Sequence, residues 1–330
     1  MPNSIDRHSS QMYTEVSNAT ALLRLGTRGS ALAKNQSSWV AQQILISTGL
    51  ASKLILIKSQ GDDLSKDLTK PVQPGVFVNL LREKLLNNEV DYIVHSFKDL
   101  PSLAHPLITV VAVPSRQDAR DALVSKTGLP LQDLADGSRI GTSSPRRKAS
   151  LLANYPEKNF SCDLIRGNVD TRIEKVRSGE YDATFLALAG LIRLELIHEV
   201  SEIFSVDAFV PAPAQGALAI EVLATRKDLL NQLRAINDQK VEIEVTAERA
   251  ILRGLAAGCE IALGAHSTIK NSQLTLRGEL ADPATGESHR IQLTSAEISL
   301  AGAETLGRLA ATELANSLVG LKVLKKVNQE

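Results

Sequence analysis

Cysteine is nearly absent from the 330 residues: Cys162 and Cys259 are the only two, and they stand 97 positions apart. They lack the close paired spacing of zinc or iron–sulfur sites, so no metal centre is expected. Aromatic residues make up only 3% of the chain, and 37 basic side chains balance 37 acidic ones. A neutral, aromatic-poor chain has no general attraction for nucleic acid or membrane surfaces, so neither is expected as a partner. Any anion binding must come from local clustering. Apolar runs are short and strand-like, as at residues 54–57, far below the roughly 20 residues of a spanning helix. Residues 1–20 are polar and mixed, without a basic end followed by an apolar stretch, and read as a loose tail and not a secretory signal. A cytoplasmic location follows as an expectation, and there a disulfide framework is not expected.

What is present fits a globular protein: 43% hydrophobic and 22% charged residues. A chain of this length exceeds one ordinary core, which predicts two or three domains. From about residue 22, strand-like and helix-like segments alternate: strand 23–25, helix 33–48, strand 53–59, helix 76–87, strand 92–95. A second set starts near Asp118, with strand 139–142, helix 145–154, strand 164–165, helix 172–178 and strand 183–187. The alternation predicts two α/β lobes of similar build, with parallel strands joined by helical crossovers. After Gln215 come a strand at 217–222, a long helix at 242–257 and a strand at 261–269. Strands 273–280 and 289–293 then flank Asp282-Pro283-Ala284-Thr285-Gly286, a hairpin signal. An amphipathic helix at 302–318 completes a small α+β region.

Several arginines fall where a strand ends and a helix begins, the usual ligand edge of an open α/β sheet. In Gly141-Thr142-Ser143-Ser144-Pro145-Arg146-Arg147, Ser144 suits the N-cap and Pro145 the first helical position. Two cations then stand in the first turn, where the helix dipole prefers anions by about 0.3–1 kcal/mol per charge. Either a bound anion reverses that penalty or both side chains extend into solvent. The arrangement recurs at Arg166-Gly167-Asn168-Val169-Asp170-Thr171-Arg172, where Thr171 and Glu174 make a capping-box pattern. Arg28 lies in Gly26-Thr27-Arg28-Gly29-Ser30, and Arg193 follows the strand end at Gly190. Together they suggest a cleft lined with guanidinium forks suited to carboxylate or phosphate.

Two further residues carry open readings. Asp99, in His95-Ser96-Phe97-Lys98-Asp99-Leu100-Pro101, is either a turn residue paired with Lys98 or an acid that stabilises a cation formed only during reaction. Cys259 follows Gly258, which reads as the left-handed end of the 242–257 helix. Its thiol is either placed for use by that anchored helix or simply a small buried apolar group.

These segments, together with Gly179-Glu180-Tyr181-Asp182-Ala183, Leu188-Ala189-Gly190-Leu191, Ala214-Gln215-Gly216-Ala217 and Thr246-Ala247-Glu248-Arg249, resemble the porphobilinogen deaminase (hydroxymethylbilane synthase) family from about Leu23 to the C-terminus. Eight such stretches occur in order.

The resemblance implies a fold of class α/β, with two domains like the lobes of bilobed periplasmic solute-binding proteins and a small α+β C-terminal domain. The chain would cross between lobes twice, giving domains 21–116 with 217–236, 117–216 and 239–330. It implies a transferase of tetrapyrrole biosynthesis that joins four porphobilinogen molecules head to tail with loss of ammonia, then releases hydroxymethylbilane with water. The primer would be a dipyrromethane held on Cys259 by a thioether. By position, Asp99 would be the catalytic carboxylate, and Lys98, Thr142, Ser144, Arg146 and Arg147 would hold the cofactor. Arg28, Ser30, Arg166, Arg172 and Arg193 would bind substrate, and the protein would act as a monomer. Asn79-Leu80 and Ile192 depart from the family's frequent Lys-Glu and Lys, and residues 70–75 lack its glycine-rich character, so the loop over the cleft differs. A non-catalytic bilobed anion-binding or sensing protein is the rival reading.

Overall fold

The computed structural model describes residues 22–57, 76–255 and 261–327. The first lobe is built on a five-stranded sheet: β1 (Leu23–Arg28), β2 (Ser52–Ile57), β3 (Tyr92–Ser96), β4 (Ile108–Ala112) and β10 (Leu218–Leu223), in the order β2-β1-β3-β10-β4. Helices α1 (Ala31–Thr48) and α2 (Val76–Leu86) join its parallel strands. The sheet packs Leu25, Tyr92, Val94, Leu218, Ile220 and Val222 against Val40 and Ile44 of α1. Each such fully buried side chain stabilises the fold by about 1.5–3 kcal/mol relative to exposure.

The second lobe repeats the plan with β5 (Asp121–Ser125), β6 (Arg139–Gly141), β7 (Ser161–Asp163), β8 (Ala183–Ala187) and β9 (Glu202–Ile203), ordered β7-β6-β8-β5-β9. Its helices are α3 (Pro145–Asn154), α4 (Val169–Arg177) and α5 (Leu188–Arg193). The parallel expectation holds only for part of each sheet. β10 runs antiparallel to β3 and β4, and β5 antiparallel to β8 and β9. In each lobe the antiparallel strand is the one the chain enters from the other lobe, so no helical crossover sets its direction.

The third unit is an antiparallel meander of β11 (Ala262–Lys270), β12 (Gln273–Ala281) and β13 (Ser288–Ser295), preceded, after the short helix α6 (Lys227–Leu233), by α7 (Gln239–Gly254) and followed by α8 (Leu300–Asn316) and α9 (Leu318–Val327). Ile243, Ala247 and Ile251 of α7 share one core with Leu276, Leu280, Leu306, Ala310 and Leu314. The hairpin falls where the turn signal placed it. Helix α9 was not anticipated, because Ser317 both ends α8 and, through its Oγ, accepts from the Gly320 amide at 2.9 Å to start the next helix.

One buried carboxylate ties the three units together. Glu248 of α7 accepts from Arg116 Nη1 and Nη2 at 2.7 and 3.0 Å, from the Ala214 amide at 2.7 Å and from the Ser267 amide at 2.8 Å. Arg116 and Ala214 belong to the two crossings between lobes, which run side by side. At Gly216 (φ 88°) a Cβ would lie 2.4 Å from the Gln117 carbonyl oxygen, so only glycine fits there.

Helix limits differ from expectation in three places. Asn168, not Thr171, occupies the N-cap position of α4, without a side-chain capping hydrogen bond. Gly167, at φ 115°, turns the chain early, and Thr171 sits inside the helix with its side chain against Gly167. α7 starts at Gln239, where the Asp238 carboxylate accepts from the Val241 amide at 3.1 Å, and ends at Gly254. The helix therefore stops short of Gly258, which lies with Cys259 outside the described residues. Residues 188–193 form a helix directly after β8, so Arg193 is a helix-end residue.

Candidate active site in the cleft between the lobes

A cavity of about 540 Å³ lies between the two lobes and is lined by Arg28, Ser30, Phe77 and Lys98 from the first and by Ser143, Arg147, Arg166, Asn168 and Arg172 from the second. Strand ends and helix starts put them there. Arg28 closes β1, and Ser30 caps α1, its Oγ accepting from the Ala33 amide at 3.3 Å. The Arg28 guanidinium stacks on the Phe77 ring, 3.5 Å from its centroid, a contact the sequence reading had not singled out. Arg166 stands in the loop before α4, and Arg172 follows one turn inside that helix.

Ser144 caps α3 as anticipated, its Oγ accepting from the Arg147 amide at 3.4 Å, and Pro145 opens the helix. The anion that makes two arginines tolerable at this helix start is part of the chain. Asp121, fully buried at the start of β5, accepts from Arg146 Nη1 at 2.7 Å and from Arg147 Nη2 at 2.7 Å. Burial alone would push its carboxyl up, but the two guanidinium groups overrule that and hold it well below the usual carboxylate range. Arg147 still borders the cavity, whereas Arg146 lies behind it and also donates to the Val210 carbonyl at 3.0 Å. Thr142 is buried, with its Oγ1 accepting from the Ser144 amide at 3.2 Å, and it supports the turn from below.

The same network crosses between lobes. Gln215 Nε2 donates to Asp121 Oδ1 at 2.9 Å and to the Ala119 carbonyl at 2.7 Å, while its Oε1 accepts from Lys98 Nζ at 3.2 Å. Burial pushes the Lys98 ammonium down to about 8; Asp99 and Asp121 oppose this, and Arg146 and Arg147 add to it. Asp99 follows Lys98 in a 3₁₀ turn, Phe97–Asp99; it is exposed and stands beside the cavity, not in its lining. Its charge also raises the pKa of Arg172.

Three cations in and beside the cleft have no carboxylate partner among the described residues. There, Arg172 Nε donates to the Gly167 carbonyl at 2.9 Å, and Arg193 Nη2 to the Gly216 carbonyl at 2.8 Å. Burial pushes each down to about 10. Among the described residues no carboxylate lies within ion-pair distance of Lys98, Arg172 or Arg193. Arg193 stands beside the cavity wall at the crossing, not in the lining itself. Such sites favour an incoming carboxylate, because the desolvation cost of the cation is already met in the fold.

Cys162 ends up at the edge of the second-lobe core, half-buried, with burial pushing its thiol up to about 11. A thiol held protonated in this way is a poor nucleophile.

The architecture and the site thus define a bilobed α/β protein with a carboxylate-seeking cleft and an appended α+β domain. The comparisons specify it further. Residues 23–231 match the family model described as "Porphobilinogen deaminase, dipyromethane cofactor binding domain", and residues 242–316 the one described as "Porphobilinogen deaminase, C-terminal domain". "Porphobilinogen deaminase 1" of Streptomyces coelicolor is 42% identical over 312 residues, covering 91% of this chain and 97% of that one. "Porphobilinogen deaminase" of Thermobifida fusca is 41% identical over 302 residues, covering 90% and 94%. Among solved structures the methionine-binding protein MetQ aligns over 66% of this chain and 91% of that one at 13% identity and a TM-score of 0.43, too low to carry an argument. The chain belongs to the porphobilinogen deaminase family.

Proposed function

We propose that the cleft between the lobes is where the chain performs the family's reaction, with Asp99 as the catalytic carboxylate. The reaction is the deaminative, head-to-tail joining of four porphobilinogen molecules, followed by hydrolysis to hydroxymethylbilane. The observation that carries this reading is the set of half-buried cations without carboxylate partners among the described residues, Lys98 and Arg172 in the cavity lining and Arg193 beside it. Each pyrrole unit of substrate or primer brings two carboxylates, and this donor set fits them. A dipyrromethane bound through Cys259 supplies the nucleophilic pyrrole carbon that receives each new unit.

The chain's own groups divide by position. Lys98, Arg147 and Ser144, with Arg146 and Thr142 behind them, hold the primer end of the cleft. Arg28, Ser30, Arg166, Arg172 and Arg193 take the carboxylates of incoming substrate. In each addition the aminomethyl C–N bond of porphobilinogen breaks, ammonia leaves and a C–C bond forms, with a proton lost from the attacked ring carbon. Positive charge develops next to the pyrrole nitrogen as ammonia departs, and the Asp99 carboxylate at the edge of the cleft stabilises it. The domains on this reading are 21–116 with 217–236, 117–216 and 239–330, and the enzyme works as a cytoplasmic monomer with no nucleic-acid partner. Its zero net charge supports that last point. Among the described residues no helix is long and apolar enough to cross a membrane. Family membership favours an enzyme over the non-catalytic rival.

The test is single-turnover kinetics on Asp99→Asn protein that already carries its primer. Loss of one electrostatic contact of this kind costs on the order of 100- to 1,000-fold in rate. Substrate affinity should change much less, because arginines hold the ground-state carboxylates. A near-normal rate of pyrrole addition would remove Asp99 from the mechanism.

A further inference from the structure

Arg249 lies on α7, in the third domain, and is buried. Among the described residues no carboxylate pairs with it. Its guanidinium Nη1 donates to the carbonyls of Phe97 and Leu100, both at 3.2 Å, and Nη2 to the carbonyl of Pro101. The same group stacks over the Phe97 ring, 4.7 Å from its centroid. A buried cation is a costly way to fill space, and packing alone would be served as well by an apolar side chain. What this cation touches is specific: the backbone immediately before Lys98 and immediately after Asp99.

Phe97 and Leu100 anchor that backbone by packing with Val78, Val113, Ala217 and Val245, but its other hydrogen bonds are few. The 3₁₀ turn Phe97–Asp99 closes on a single internal hydrogen bond, Leu100 amide to Phe97 carbonyl at 3.2 Å, and such short turns are weakly self-supporting. Upstream, the Phe97 amide is anchored to the Ala217 carbonyl at 3.0 Å. Downstream, Pro101 has no N–H to contribute. The Asp99 carboxylate itself makes no hydrogen bond among the described residues, so its place in the cleft is set by its backbone.

We propose that Arg249 is a positioning residue for the reaction: from the third domain it clamps the turn that presents Lys98 and Asp99 and so fixes where these side chains stand in the cleft. The proposal rests on the reading of Asp99 given above. Glu248, the preceding residue, holds both crossings, so adjacent positions of one helix govern the lobe connection and the catalytic turn. The helix leads toward Cys259, ten residues further along the chain.

The experiment compares Arg249→Gln and Arg249→Lys with the parent, each shown by intact mass to carry the primer, in single-turnover addition of porphobilinogen. Misplacement of a catalytic group by about 1 Å costs on the order of 100-fold, so Arg249→Gln should slow addition by about 10- to 100-fold, with KM within about threefold of the parent. Arg249→Lys, which keeps the charge but cannot span three carbonyls, should fall between. The decisive readout is the double variant. If Arg249 acts through Asp99, adding Arg249→Gln to Asp99→Asn should cost less than about twofold more. A normal addition rate in loaded Arg249→Gln, or in Arg249→Lys should the Gln variant not fold, overturns the proposal. So does an Arg249→Gln effect that persists in full beside Asp99→Asn. A near-normal rate in Asp99→Asn alone would instead strike at the reading of Asp99.

Discussion

Asp121 and Arg147 form a buried ion pair in the second lobe: Arg147 Nη2 and Nε both donate to Asp121 Oδ1, at 2.7 and 3.2 Å. Arg146 completes the cluster on the other carboxylate oxygen at 2.7 Å. The Arg147 guanidinium that borders the cleft is therefore held from behind by an internal anion, and Gln215 extends the same network to Lys98 in the other lobe.

Replacing Asp121 by Asn should be strongly destabilising, by about 3–5 kcal/mol, because it leaves two buried cations without their anion. The Asp121 carboxyl is depressed in the folded state, so its stabilisation is complete above its ordinary value of 3.8 and is lost as pH falls through the lower folded value. Denaturant midpoints of parent and Asp121→Asn should differ widely at neutral pH and converge only in strong acid. Equal midpoints at pH 7 would show that the cluster contributes nothing. Arg146→Leu and Arg147→Leu should each impair primer assembly, read by the fraction of chains carrying the adduct.

Lys98 gives the pH dependence. Burial holds its ammonium down at about 8, so it is charged and ready for a carboxylate below that pH and neutral above it. The pH profile of primer assembly on the unloaded chain should bend downward near pH 8. In Lys98→Arg that limb should vanish, since a guanidinium stays charged throughout the range. An unchanged limb in that variant would assign it to another group.

Arg172 is a half-buried cation with one carbonyl for a partner among the described residues, so it costs stability that a bound carboxylate would restore. Arg172→Met should leave the thermal midpoint unchanged or higher while raising KM by at least tenfold, the size expected for a charged hydrogen bond of about 1.5–3 kcal/mol. A lower midpoint with normal KM would make Arg172 a structural residue.

Features set by neighbouring residues were legible in the sequence. Ser144 and Pro145 announced the start of α3, and Asp282 to Gly286 announced the turn between β12 and β13. Features that depend on distant partners were not. Asp121 lies 25 and 26 positions from Arg146 and Arg147, and after Arg120 it reads as an ordinary strand-start acid. A lone carboxylate opening the otherwise apolar run Ala122-Leu123-Val124 was the available signal. The antiparallel β5 and β10 follow from the double crossing and not from their own patterns. At Thr171 a genuine capping-box pattern lost to Gly167, whose positive φ lets Asn168 start the helix first. The arginine-lined cleft was foreseen as a set, but the division between Arg147 at the wall and Arg146 behind it needed three dimensions.

On the proposed function one of two thiols carries the covalent primer, and Cys162, half-buried with its thiol pushed up to about 11, is unsuited to do so. The deciding measurement is the intact mass of the parent, Cys162→Ser and Cys259→Ser chains. One dipyrromethane unit above the sequence mass is expected in the parent and in Cys162→Ser, and a bare, folded, inactive chain in Cys259→Ser, because an alcohol is the poorer nucleophile and forms no thioether. An unmodified parent, or an adduct that survives Cys259→Ser and disappears in Cys162→Ser, would contradict it.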